Sequence, residues 1–315
     1  MSKILVIGAG GQVGTELVLA LRAEYGLNEV IATDIRPAEG KLTEGPFELL
    51  DAMDAEVVRD AVERYGVRTV YLMAAMLSAT AEKMPMKAWQ LNMDSLFHVL
   101  ELAKEGLIDR VFWPSSIAVF GPDSQKVLAP QKGLMEPTTI YGISKSAGEL
   151  LCRYYHQRYG VDVRSVRYPG LIGYRSKPGG GTTDYAVHIF HHAIQQGTYE
   201  CFLSPDRTLP MMYMDDAIEA TIGIMKAPSE NIKERTSYNI AAMSFSPAEL
   251  ASAIQSSLPR FTIRYSPDER DALARTWPDS IDDSSAREDW GWKPRFDLES
   301  LVGVMLQGLS TPEEA

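Results

Sequence analysis

The run Lys3-Ile4-Leu5-Val6-Ile7-Gly8-Ala9-Gly10-Gly11-Gln12-Val13-Gly14 decides how the rest of the chain is read. Residues 3–7 form a short apolar stretch of strand character, and helical periodicity begins at Gln12. Between them Gly8, Gly11 and Gly14 follow a G-x-x-G-x-x-G spacing. Val13 stands where the commoner G-x-G-x-x-G pattern has its last glycine. Both spacings serve the same physics. Glycines permit the tight turn, let a pyrophosphate approach backbone N–H groups at a helix N-terminus, and let helix pack closely on strand. The order strand, glycine turn, helix is the context such a cradle requires.

Outward from this turn, strand and helix signals alternate. Strands are expected over 29–33 (ending at Asp34), 47–50, 69–74, from 111 onward and over 163–167. Helices are expected over 12–23, 54–65, 86–104 and 141–159. Such alternation predicts the α/β class: a doubly wound parallel sheet of Rossmann type, covered by helices on both faces. After Pro169 the rhythm breaks at the loop Pro178-Gly179-Gly180-Gly181. Residues 1–170 are therefore expected to form a nucleotide-binding domain, to which 207–240 return. Residues 171–315 are expected to form mainly a smaller, discontinuous substrate-binding domain, drawn from 171–206 and 241–315.

Composition limits the function classes. A chain of 315 residues corresponds to about two domains. It carries 31 Lys and Arg against 42 Asp and Glu, a net charge of −11, which repels nucleic acid and anionic lipid. Two cysteines, Cys152 and Cys201, are too few for a disulfide framework and too far apart for a zinc ribbon. No apolar run approaches bilayer length, and the first residues lead directly into a strand without a targeting segment. The expectation is a cytoplasmic enzyme or binding protein with neither nucleic acid nor membrane as partner.

Asp34, at the end of the second strand and 20 residues past Gly14, can accept both ribose hydroxyls of an adenosine and repels a 2′-phosphate. That favours NAD, although Arg36 two residues on leaves some tolerance of NADP conceivable. Asp51 is placed to bond the adenine amino group and Met53 to pack on the ring, with Ala52 between them. Leu72, Ala74 and Ala75 stand where a cofactor passes the fourth strand, and Asn92 on the long helix is assigned to the same site. Tyr141-Gly142-Ile143-Ser144-Lys145 sets a phenol and an ammonium at i and i+4 on one helix face. A tyrosine acting as base at neutral pH must lose about three pKa units, roughly 4 kcal/mol. A neighbouring lysine cation and a positive nicotinamide both favour the phenolate. Ser115-Ser116 follows the fifth strand at its carboxyl end, where Ser116 can steady a substrate hydroxyl. His188, His191 and His192 share a helix face, but no acidic or cysteine partner accompanies them, so no metal is assigned.

These residues resemble the extended short-chain dehydrogenase/reductase superfamily. Longer stretches resemble its L-threonine 3-dehydrogenase family: 114–122, 135–145, 167–172, 178–186, 211–217, 277–283 and 290–294. The resemblance implies NAD-dependent oxidation of the C3 hydroxyl of L-threonine, with Tyr141 as general base, Lys145 as its helper and Ser116 as a substrate ligand. It further implies that Ser78 and either Thr182 or Thr183 contact threonine and that Leu171 lies near the nicotinamide. Ser115 and Gly180 join the substrate site, and Trp277 shapes it. The carboxylate of threonine would be met by hydroxyls and by the N–H groups of 179–181. Val119 departs from the alanine common in relatives. A homodimer pairing helices 86–104 and 141–159 is also implied. A nucleotide-sugar epimerase or dehydratase, and a non-catalytic NAD-binding sensor, are the alternatives.

Overall fold

The computed structural model describes residues 3–175 and 180–310; the predicted Pro178 and Gly179 of the glycine loop lie outside them. Nine strands precede the glycine loop: β1 (Lys3–Ile7), β2 (Val30–Asp34), β3 (Phe47–Leu49), β4 (Val67–Leu72), β5 (Arg110–Phe112), β6 (Ser115–Ser116), β7 (Asp162–Arg164), β8 (Val166–Tyr168) and β9 (Gly170–Ile172). The helices among them are α1 (Gln12–Tyr25), α2 (Ala55–Tyr65), α3 (Ser78–Lys83), α4 (Pro85–Lys104) and α5 (Ile140–Tyr159). Six strands form one parallel sheet in the order β3-β2-β1-β4-β5-β7. The α/β parallel architecture read from the alternating pattern is thus the architecture found. β1 and β2 are buried almost end to end, as a sheet covered on both faces demands.

Two strands differ from expectation. The predicted 163–167 strand is two, β7 and β8, parted at Ser165. β5 breaks at Trp113-Pro114 before resuming as β6. Proline lacks the N–H a ladder needs, so the strand kinks there. The Trp113 N–H still bonds the Arg164 carbonyl at 3.0 Å. β6 and β8 continue in parallel beyond the kink and are joined by β12 (Tyr238–Asn239). The kink takes Ser115 and Ser116 out of the six-stranded sheet and into this second ladder.

Helix ends are written locally. Asp54 accepts from the N–H groups of Glu56 and Val57 to start α2, and Gly66 closes it in the left-handed region at φ 64°. Thr139 caps α5 through the Gly142 N–H, and Gly160 ends it at φ 74°. Past the glycine loop come α6 (Tyr185–Gln196), β10 (Thr198–Cys201), β11 (Leu209–Tyr213) and α7 (Met214–Lys226). After β12 follow β13 (Met243–Phe245), α8 (Pro247–Ser257), β14 (Thr262–Tyr265), α9 (Glu269–Ala274), α10 (Ser284–Trp290) and α11 (Leu298–Ser310). β11 pairs with β9 and β13, and β10 with β14. α7 packs on α1, while α6, α8 and α11 pack together over a separate apolar cluster containing Phe190, Phe245 and Met305. No helix among the described residues is long and apolar enough to cross a membrane.

Candidate active site

In this strand order the chain reverses direction of growth between β1 and β4, and the crevice outside their carboxyl ends is where open α/β sheets bind ligands. Gly8 leaves β1 there at φ 87°, and a Cβ on it would stand 2.5 Å from the Ala74 nitrogen. A Cβ on Gly14 would collide with the Gly8 carbonyl oxygen. Gly11 has only that oxygen nearby, at 3.4 Å. Two glycines therefore close the turn tightly and the third leaves its outer side open. Beside it the Gln12 Nε2 is buried without an acceptor, a donor awaiting a ligand oxygen. At the end of β2 the Asp34 carboxylate accepts from the Gly10 N–H at 2.9 Å and from the Arg36 N–H at 3.0 Å. Arg36 lies over the turn, its Nη2 2.9 Å from the Gly10 carbonyl. These features fit a dinucleotide whose pyrophosphate meets the turn and whose ribose meets Asp34.

A cavity of about 230 Å³ continues from the turn. Gly8, Gly11, Gln12, Val13 and Gly14 line it on one side. Ala75, Ser78, Ser115, Ser116, Tyr141, Lys145, Leu171, Thr182, Thr183 and Trp277 complete it, so the structure gathers residues dispersed over 270 positions of chain. Tyr141 sits in the first turn of α5, beside the helical turn Ile117–Val119. A Cβ on Gly142 would strike the Ala118 carbonyl, and that close approach holds the phenol beside Ser116. Burial pushes the Tyr141 phenol up to about 12, and its hydrogen bond with Ser116 acts the other way. The Ser116 hydroxyl also accepts from the Ala118 N–H at 3.2 Å.

One turn further along α5, Lys145 donates from Nζ to the Pro114 carbonyl at 2.6 Å and lies 4.5 Å from the Trp113 ring centroid. The kink at Trp113-Pro114 supplies both contacts. Burial brings the Lys145 ammonium down to about 7, with Cys152 and Glu149 opposing. Near neutral pH this amine is therefore able to change charge, beside a phenol that needs a cation to ionise.

Several predicted residues carry contacts within the protein itself. Ser115 lines the cavity, but its hydroxyl donates to Glu149 Oε1 at 2.6 Å. That bond ties it to the buried Glu149–Arg167 ion pair (2.7 Å). Leu72 is core. Asn92 accepts from the Met76 N–H at 2.8 Å and donates to Ser144 at 3.1 Å, which pins the segment after β4 against α5. Asp51 accepts from the Met53 N–H at 2.9 Å, and Ala52 presents its carbonyl to His98. The expectation that the N–H groups of 179–181 meet a substrate carboxylate departs from the structure. Those of Gly180 and Gly181 donate to Asp184 Oδ2 at 2.8 and 2.7 Å, and Gly179 lies outside the described residues. Asp184 was absent from the predicted site, although it lines the cavity. Burial pushes its carboxyl up, against the two glycine N–H groups. Its place in Thr182-Thr183-Asp184, at the entry to α6, was the available signal. Among the described residues no group of three His, Cys, Asp or Glu side chains is arranged to hold a metal ion.

The profile described as the NAD dependent epimerase/dehydratase family matches residues 4–241. A solved structure of a GalE-like L-threonine dehydrogenase from Cupriavidus necator, in its holo form, is 57% identical with a TM-score of 0.96. The match covers 98% of this chain and 100% of that one. A partial consensus L-threonine 3-dehydrogenase is 58% identical, TM-score 0.96, over 98% of this chain and 99% of the other. A relative from Staphylococcus saprophyticus, described as an uncharacterized epimerase/dehydratase, is 48% identical and covers 100% of this chain and 99% of its own.

Proposed function

The chain belongs to the NAD dependent epimerase/dehydratase family, and on that premise we propose that it oxidises the C3 hydroxyl of L-threonine to 2-amino-3-ketobutyrate. The observation that carries this reading is Ser116, Tyr141 and Lys145 meeting in one cavity with the glycine turn. The turn at Gly8, Gly11 and Gly14, with Gln12 and Asp34, would hold NAD, and the Asp34 carboxylate disfavours a 2′-phosphate. When bound, NAD supplies the hydride acceptor and a positive charge close to the phenol.

In this mechanism Ser116 donates a hydrogen bond to the substrate hydroxyl and orients it toward Tyr141. The phenolate of Tyr141 takes the hydroxyl proton as C3 loses its hydride, so the proton ends on the phenol oxygen. Lys145, protonated, stabilises that phenolate, and its bond to the Pro114 carbonyl fixes its head in place. Hydroxyls of Ser78, Thr182 and Thr183 face the zwitterionic part of the substrate, and Trp277 closes the far wall. In the domain arrangement we propose, 1–170 with 207–240 hold the cofactor, while the remainder of 171–315 holds the amino acid.

The competing activity, on a nucleotide sugar, requires cations for a second pyrophosphate. Arg175 is held by Glu16 at 2.6 Å and Asp215 at 2.8 Å. Purified protein with NAD and a panel of hydroxy amino acids, followed by NADH formation, tests the proposal. Turnover of L-threonine is expected. Its absence together with turnover of a UDP-sugar would reject the threonine reading.

A further inference from the structure

We propose a second ligand site, remote from the cavity described above, that takes a compact polyanion of the phosphate class. It is a hollow of about 460 Å³ between the C-terminal half of α5 and residues 232–236. Arg153, His156 and Gln157 form one wall, and Lys132, Lys233 and Arg235 form much of the rest. Lys145 lies two turns toward the opposite end of α5 from Arg153, so helix geometry separates the hollow from the catalytic group by more than ten ångströms, at about 1.5 Å per residue.

Charge is the first argument. Around the hollow stand Lys132, Arg153, Lys233 and Arg235, with Arg110 and Arg164 behind. The carboxylates nearby are Glu234, Asp289, Glu288 and Asp162, four against six cations, and of the four only Glu234 lines the hollow beside its four lining cations. Asp162 alone is shared by Arg110, Arg164 and Arg235. In a chain of net charge −11 this is a local inversion of sign. Lys132 and Lys233 pair with Glu234 (2.8 Å) and Asp289 (2.5 Å), but their side chains are 79% and 69% exposed. Ion pairs that exposed are weak and readily exchange partners. Arg153 is exposed and has no hydrogen bond or ion pair among the described residues.

Donor geometry is the second. Arg235 is 9% exposed and spends Nη1 on Asp162 (2.7 Å) and Nη2 on Ser229 (2.9 and 3.0 Å). Its Nε is buried without an acceptor, which is rare for a guanidinium in a folded protein. His156 faces the Val161 carbonyl through Nδ1 at 2.9 Å. A carbonyl only accepts, so Nδ1 carries the proton and Nε2 remains for another partner. Guanidinium forks joined by lysine point charges match phosphate oxygens, and the small concave volume suits a di- or triphosphate and excludes a polymer.

The test uses the full chain saturated with NADH, so that the cofactor cradle is filled. Pyrophosphate is titrated by calorimetry at constant ionic strength, with sulfate as the reference anion. Saturable one-to-one binding is expected, tighter for pyrophosphate than for sulfate. Arg153→Glu and Lys132→Glu should each weaken it at least tenfold while NADH affinity and threonine turnover stay unchanged. Both positions are exposed, so folding is not at stake. No saturable binding, equal binding of sulfate, or pyrophosphate binding untouched by both substitutions would each overturn the site.

Discussion

Tyr141 and Lys145, one turn of helix apart, are shifted by burial in opposite directions. Burial raises the phenol to about 12 and lowers the ammonium to about 7, so the site disfavours the charged form of each group. Tyr141→Phe removes the proton acceptor and leaves the packing. Turnover should fall about a thousandfold, within the usual range for a lost general base, while NADH titration reads an affinity close to that of the parent. Glu149 serves from behind. It holds Arg167 at 2.8 and 2.7 Å and accepts from Ser115, the neighbour of Ser116. Glu149→Leu would leave the Arg167 charge buried and unpaired, a loss of roughly 3–5 kcal/mol in denaturant melts. Retained stability in that variant would show that the pair is dispensable.

At the scale of elements, the glycine turn and β7 are the parts whose disturbance propagates. Gly14→Ala places a methyl against the Gly8 carbonyl oxygen, which forces the turn open and withdraws the N–H groups from the crevice. NAD binding is expected to weaken at least tenfold, about 1.4 kcal/mol, in calorimetry with an unchanged circular dichroism spectrum. Asp162 on β7 joins Arg110 of β5, Arg164 and Arg235. Burial alone would raise its carboxyl, but the hydrogen bonds and charges of Arg164 and Arg235 win and hold it well below the usual carboxylate range. A depressed folded-state pKa means that its stabilisation is complete above about pH 4 and is lost as pH falls through the folded value. Asp162→Asn should therefore melt lower than the parent at neutral pH, and the gap should narrow progressively in acid. A gap independent of pH would rule out this linkage.

For the whole molecule, α4 and α5 pack side by side and leave Met86, Trp89 and Phe97 of α4 and Ile143, Leu150 and Tyr154 of α5 exposed. On α5 these fall at i, i+7 and i+11, one continuous stripe. An exposed apolar stripe shared by two adjacent helices suits a two-fold pairing into a four-helix bundle, and we propose a homodimer on it. Light scattering should give a mass of two chains, and Leu150→Arg should give one. A single-chain mass for the parent would exclude the pairing.

Much of this protein was written locally. Strand periodicity over 3–7, the glycine spacing, the Asp54 and Thr139 caps and the Tyr141–Lys145 interval each involve neighbours within a turn or a strand. Short-range sterics and periodicity therefore determine them from sequence alone. Other features depend on long-range packing. The kink at Pro114 decides that Ser116 and not Ser115 meets the phenol. Asp184 claims the N–H groups of Gly180 and Gly181, Asn92 turns to Ser144, and Leu72 enters the core instead of the cavity. In each case the chain offers a polar or apolar group at a suitable position. Only the tertiary structure selects its partner, because folding decides which distant groups arrive beside it to pair with or pack against.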